Sequence, residues 1–278
     1  MLSKKAAVQE YVIALKYANT NTYLIKGQNG YILFDTDWAG TFSLFCKALR
    51  KANIKVREIK YLLISHFHPD HMGIAQEIAN LGVQIVVMDV QKDFVHASDS
   101  VFEKDKKNTF VPIDDKKVRL LSICDSRSFL EEMGIEGEIL ATPGHSDDGI
   151  SLWLDKGILL VGDLNPLYEL ELHKGTQIGE SWEKLLLRKP RKIYYGHAKA
   201  ADLTVSCVGA ETETVTEREL YALVQTMMKY IDKGYPMDKI LKKTGADKTF
   251  AEDVARMYLT HQNVGVQGIL DRIEIKNR

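Results

Sequence analysis

Three histidines and an aspartate fall within six residues in Ser65-His66-Phe67-His68-Pro69-Asp70-His71, in a chain with only eight histidines among 278 residues. Imidazole nitrogen and carboxylate oxygen are ligands for zinc, and equally for iron, manganese or cobalt. Residues two apart on an extended loop can point the same way, so His66 and His68 can grip one cation. Asp70 and His71, at the turn into a helix, can then face a second. One such cluster does not fill two coordination spheres. Three more donors stand just past apolar runs of strand character: His145 in Thr142-Pro143-Gly144-His145-Ser146, Asp163 in Val161-Gly162-Asp163, and His197 in Tyr195-Gly196-His197. Each follows a glycine, where the backbone can bend sharply to present a side chain. Taken singly, His145 and His197 read as readily as packing residues and Asp163 as a turn former. Their shared address at strand ends, where layered α/β proteins mount functional groups, argues for a common site.

The elements that must position these groups are legible in outline. Residues 11–17 and 22–26 are apolar-rich, and Gln28-Asn29-Gly30 is a turn signal before a strand at 31–34. A helical pattern over 42–52 precedes residues 60–65, whose YLLIS run suits a strand buried on both faces. A helix over 71–81 and a buried strand over 83–88 follow, so strand, helix and strand alternate as in layered α/β architecture. Residues 98–130 mix charge runs with short apolar pieces and read as a solvated loop or helix over the site. Strand signals return at 138–141, 150–154, 158–162 and 192–195, with a short helix at 181–188.

After about residue 208 the character changes. Leu220, Leu223, Val224, Met227, Met228 and Ile231 recur at helical spacing. Thr216–Glu219 and Thr249–Glu252 match capping boxes. The chain thus divides into a catalytic region, 1–208, and a helical region, 209–278. The latter carries eleven Lys/Arg against eleven Asp/Glu over 211–278, and we expect it to be a lid, a packing element or the surface of a homodimer.

Composition is bland: 45% hydrophobic, 27% charged, formal net charge −1. Proteins held to polynucleotides by phosphate contacts usually carry a basic excess, so a nucleic-acid partner is not expected. No apolar run is long enough for a membrane span or signal peptide, so no membrane partner is expected either. Cys46, Cys124 and Cys207 are scattered and lack CxxC spacing, which suits a reducing compartment and a cytoplasmic location. They are expected to be small buried hydrophobes.

The order HxHxDH, PGH, GD, GH resembles the metallo-β-lactamase superfamily over roughly residues 10–200. The resemblance implies a four-layer αββα sandwich with two divalent metal ions, zinc or alternatively iron or manganese, at one edge of its sheets. It assigns His66, His68 and His145 to the first metal, Asp70, His71 and His197 to the second, and Asp163 to a bridge between them. Asp35, in Phe34-Asp35-Thr36-Asp37, matches a strand-end aspartate of the family that supports the ligand loop. Within the family the pattern is similar to hydroxyacylglutathione hydrolases, lactonases, thioesterases and phosphodiesterases. The implied chemistry is attack on a small ester, thioester or lactone by a hydroxide shared between the metals, oriented by Asp70. Alternatives are a mononuclear iron enzyme resembling persulfide dioxygenases, a phosphodiesterase or nuclease, and a regulatory protein retaining the metal site. Tyr168, His173 and Tyr194 flank the expected site as candidate substrate contacts. A solvent-exposed loop is the simpler expectation for His173, and His96 and His261 are expected at the surface or in helix packing.

Overall fold

The computed structural model describes residues 11–105, 107–204, 215–260 and 264–277, with the side chains of 215–217 left aside. Six strands build the first sheet: β1 (Val12–Leu15), β2 (Thr22–Gly27), β3 (Gly30–Phe34), β4 (Ile59–Leu63), β5 (Gln84–Met88) and β6 (Val118–Leu121), in that spatial order. The β1, β2 and β3 strands pair antiparallel, and β3 through β6 pair parallel. Between them lie α1 (Phe42–Lys51), α2 (Pro69–Met72), α3 (Ala75–Ala79) and α4 (Asp99–Lys104), and α5 (Ser126–Glu132) follows β6. The second sheet runs β11-β10-β9-β8-β7, from β7 (Gly137–Ala141), β8 (Ile150–Leu154), β9 (Ile158–Leu160), β10 (Lys192–Tyr194) and β11 (Ala201–Asp202); α6 (Gln177–Leu186) joins β9 to β10.

Alternation along the central strands explains the layering. Leu62 of β4 and Leu33 of β3 face a core shared with Phe45 and Leu49 of α1 and Ile78 of α3. Their neighbours Leu63, Ile32 and Phe34 face the opposite way, onto Ile139, Leu152 and Leu160 of the second sheet. On that sheet's far side, Leu159 and Ile193 pack on Trp182 and Leu185 of α6. Helix, sheet, sheet and helix therefore stack as an αββα sandwich, because two-sided apolar strands need cover on both faces. Among the described residues four more helices follow, α7 (Val215–Asp232), α8 (Met237–Thr244), α9 (Lys248–Thr260) and α10 (Val266–Lys276), around a core of their own that includes Val224, Met227, Ile240 and Ile269.

Several sequence expectations need correction. The 98–130 stretch is not merely a solvated cover: it supplies edge strand β6 and buries Phe102, Ile113, Phe129 and Leu130. An edge strand of four residues, with Leu120 exposed, leaves little periodic signal. The helix expected over 71–81 is two short pieces, α2 and α3. The start of α9 is held by the Asp247 carboxylate, which accepts from Phe250 N at 3.0 Å, rather than by Thr249. The side chain of Thr216 lies outside the described residues. Cys46 and Cys124 are exposed free thiols, Cys46 on the outward face of α1; Cys207 is outside the described residues.

Candidate metal centre

Residue Ile64, just past β4, is fully buried, and the chain turns immediately beyond it into the ligand loop, which carries His66 and His68 and runs into α2 with Asp70 and His71. Asp35, just past β3, pins both ends of that loop. Its Oδ1 accepts from Ser65 N at 2.6 Å and its Oδ2 lies 2.9 Å from His71 Nδ1, which leaves His71 Nε2 free to point inward. Asp35 is buried and sits at φ +64, a left-handed conformation uncommon outside glycine, so the surrounding contacts must over-determine it. From the other side, Asp148 Oδ2 accepts from Phe67 N at 2.7 Å, and Gln91 Nε2 donates to Ile64 O at 2.9 Å and to Asp148 O at 3.1 Å.

The second sheet delivers one donor per strand end. His145 follows β7, Asp163 follows β9, and His197 follows β10. Two glycines let these ends approach the loop. Gly162 has φ +55, and a Cβ there would collide with Ser65 Oγ, while a Cβ on Gly196 would collide with Asp163 Oδ1. His197 Nδ1 lies 3.0 Å from Asn19 O, and Thr20 Oγ1 donates to Asp70 O at 2.7 Å. The 19–21 loop thus positions a ligand from each sheet. Asp37 holds that loop in turn, accepting from Thr20 N at 2.7 Å; burial pushes the Asp37 carboxyl up to about 6.

The seven donors converge. Ligand atoms of His66, His68 and His145 lie within 4.8 Å of one another, and so do those of Asp70, His71 and His197. Asp163 joins His66 and His71, one histidine from each trio, in a third such group. Asp163 Oδ1 is 3.3 Å from His71 Nε2, and its Oδ2 is 3.7 Å from His145 Nε2 and 3.6 Å from His197 Nε2. His66 Nε2, His71 Nε2 and Asp163 Oδ1 are buried without a hydrogen-bond partner, though buried polar atoms normally find one. Polar atoms that face each other in this way fit a cation as their missing partner.

Electrostatics agree with that fit. Burial drives the His66 imidazole well below its ordinary range and His145 down to about 4, so both present neutral lone pairs. Burial would raise Asp70 and Asp163, but neighbouring histidines, His71 and His197 chief among them, outweigh it and hold both carboxyls ionised. Burial would likewise lower His71, but Asp163, Asp35 and Asp70 raise it well above the usual range. Carboxylates that hold a proton on a neighbouring ring so firmly would hold a divalent cation in its place.

Of the cavities that border the donors, two also reach the C-terminal helices. One of about 430 Å³ reaches Asp70 and His197 and is walled by Trp38, Arg256 and Arg272. The other, about 370 Å³, reaches His68 and His145. His173 is buried in the wall of the smaller cavity, 2% exposed, not out in solvent as its loop setting suggested. Tyr168 is half exposed and its hydroxyl donates to Asp271 of α10 at 2.9 Å, so it ties the helical region down. Tyr194 packs against Tyr23, ring centroids 5.1 Å apart, beside the inter-sheet core. Neither tyrosine belongs to the convergent donor groups. His96 is partly exposed between Asp99 and Asp115, and His261 lies outside the described residues.

The family model described as metallo-beta-lactamase superfamily matches residues 16–197, well over half of the chain. The chain belongs to the metallo-beta-lactamase superfamily. It is 26% identical over 198 residues to a beta-lactamase-like protein 2 homolog of Drosophila melanogaster, covering 68% of this chain and 62% of the relative. The chain therefore spans less than two thirds of that curated relative's length. Among solved structures it is similar to a metallo-beta-lactamase family protein of Thermus thermophilus, with TM-score 0.56, 19% identity, and 96% and 93% of the two chains covered. It is also similar to the protein TTHA1623, solved in a di-iron-bound form, with TM-score 0.51, 18% identity, and 70% and 96% covered. At these identities the structural likeness speaks for the superfamily fold alone.

Asp148, Gln91 and the 19–21 loop escaped sequence reasoning. Asp148 had a usable signal, standing three residues after His145 in His145-Ser146-Asp147-Asp148. Gln91 and Asn19 carry no local pattern: Gln91 reaches backbone carbonyls far away in the chain, and Asn19 acts through its own carbonyl on a distant histidine. No described helix is long and apolar enough to cross a membrane.

Proposed function

We propose that this superfamily member is a metal-dependent hydrolase that holds two divalent cations, zinc in the first instance, and cleaves a small ester, thioester or lactone. One observation carries the reading: Asp163 groups with one histidine from each of two separate donor trios. A lone cation would need one such trio, whereas a shared carboxylate between two trios suits a pair. The likeness to a protein solved in a di-iron-bound form makes iron the first alternative metal to measure.

Bound in such a pair, divalent cations supply a water acidic enough to ionise near neutral pH and positive charge for a developing oxyanion. The chain's own residues do the rest. Asp70 Oδ2, 3.0 Å from His197 Nε2, borders the larger cavity and can accept the proton of an attacking water. Asp35 fixes the His71 ring so that only Nε2 faces inward, and Ser65 Oγ, 3.0 Å from His66 Nδ1, does the same for His66. Trp38 offers an apolar wall on which the non-reacting part of a substrate can rest.

The test is elemental analysis of the purified protein followed by a panel of thioesters, lactones, esters and phosphodiesters. About two metals per chain with turnover of carbonyl substrates is the expected result. A fully metal-loaded chain that is silent across the panel overturns the reading, and a single iron with oxygen uptake replaces it with the dioxygenase alternative.

A further inference from the structure

The two cavities that run from the donors to the C-terminal helices share one side chain, Arg272 of α10. It is only 8% exposed. Its Nη1 donates to Gly268 O at 3.2 Å within its own helix, its Nε is buried without a hydrogen-bond partner, and it makes no ion pair among the described residues. The buried Glu169 carboxylate is committed elsewhere, accepting from Gly265 N at 2.7 Å and from Asn165 Nδ2 at 2.9 Å. A second orphan lies in the wall of the smaller cavity: His173 Nε2, also buried with no partner. That cavity also reaches His68 and His145. Leaving the guanidinium Nε and an imidazole nitrogen both buried and unsatisfied is costly, and an apolar side chain would fill the same volume without that cost.

We propose that the smaller cavity is a carboxylate subsite, in which Arg272 and His173 hold the free carboxylate of an acidic ester or thioester whose scissile carbonyl lies toward His68 and His145. A guanidinium presents a planar fork that matches a carboxylate with two parallel N–H bonds. The imidazole, in the tautomer protonated at Nε2, donates a third. One cation and one neutral donor, with Glu169 close by, suit a monoanion better than the dianion of a phosphate monoester. A cavity of about 370 Å³ restricts the acid to a compact one. The inference rests on the hydrolase reading and adds to it the charge and the placement of the substrate.

The experiment compares a thioester of succinic acid bearing a free carboxylate with its carboxamide counterpart, on the metal-loaded chain and on R272Q, R272K and H173Q. The native chain should prefer the acid at least tenfold in kcat/KM. R272Q should bring that ratio close to one by raising KM for the acid, with R272K retaining part of the preference. A native ratio near one, or equal losses on both substrates in R272Q, overturns the subsite. Calorimetric titration with succinate separates this outcome from failure of the hydrolase reading. If neither thioester is cleaved but succinate binds at least tenfold more weakly to R272Q, the subsite stands without the hydrolase; equal binding overturns it. Should R272Q fail to fold, R272K and H173Q decide, each expected to weaken succinate at least threefold, and unchanged binding in both overturns the proposal.

Discussion

The sandwich and the C-terminal helices meet at the same cleft and bring opposite chemistry to it. Each donor of the candidate metal centre stands beyond a strand end of the sandwich, on a connecting loop or, for Asp70 and His71, on the short helix α2. Among the described residues the C-terminal helices add none, and they contribute Arg256, Arg272 and Lys276 to the cavity walls instead. The two regions are also held differently. The ligand loop is pinned from both sides by buried hydrogen bonds from Asp35, Asp148 and Gln91. The polar contacts that tie the helices to the sandwich include Tyr168 Oη and Lys199 N donating to Asp271, Gly265 N donating to Glu169, and the Lys199–Glu274 ion pair. Coordination tolerates little displacement, so its groups belong on the rigid part. Substrate selection tolerates adjustment and can sit on an appended one.

The contrast is open to attack at several points. The largest effect is expected for Asp163→Ala, which removes the carboxylate that groups with one histidine of each trio. Metal content by elemental analysis should fall, and metal-dependent turnover should drop by more than the roughly 10–100-fold that supporting residues cost. Retained metal and activity would mean that the two trios do not depend on a shared group. Next comes Ile269→Ala, which empties the core of the helical region at a cost of about 2–5 kcal/mol. If the regions are separable, thermal melts should show the helices lost at lower temperature while the sandwich keeps its metal. Simultaneous loss of both would erase the distinction.

Asp35→Asn should lower metal affinity roughly 10–100-fold while leaving the donor set complete, measured by competition with a chelator. An unchanged affinity would show that the loop holds His71 in place unaided. Tyr168→Phe deletes one tie between the regions and should cost about 1 kcal/mol in denaturant unfolding. The smallest effect concerns His96, away from the centre. Burial lowers it, but Asp99 and Asp115 outweigh burial and raise it above the ordinary histidine value. The native state therefore holds its proton more tightly than the unfolded chain. Its contribution is complete below about pH 6.5 and is lost as pH rises through the raised native value. Being partly exposed, the group should contribute well under about 1 kcal/mol. His96→Gln should flatten that part of the Tm-versus-pH curve slightly, and an unchanged curve would remove His96 from the account.

How far the molecule could be read in advance depended on whether the signal was local. The two-sided strand at β4 was legible because Leu62, Leu63 and Ile64 form an unbroken apolar run. The ligand candidates were legible because histidines are scarce and stand at strand ends. Strand β6 was not, since a short edge strand with one face in solvent lacks periodicity. The burial of His173 was not legible because it is a matter of tertiary packing, which the loop-like sequence around it does not announce.

The linear chain by itself determined the chemistry of the donors, imidazole and carboxylate, and the superfamily to which their order belongs, since both are properties of residue type and spacing. Only the tertiary structure decided which donors share a group, that Asp148 and the 19–21 loop hold them, and that Arg272 reaches both cavities. Those facts depend on the register of two sheets and the docking of a distant helix. They bring together residues as far apart as Asn19 and His197, whose separation along the chain says nothing about their 3.0 Å contact.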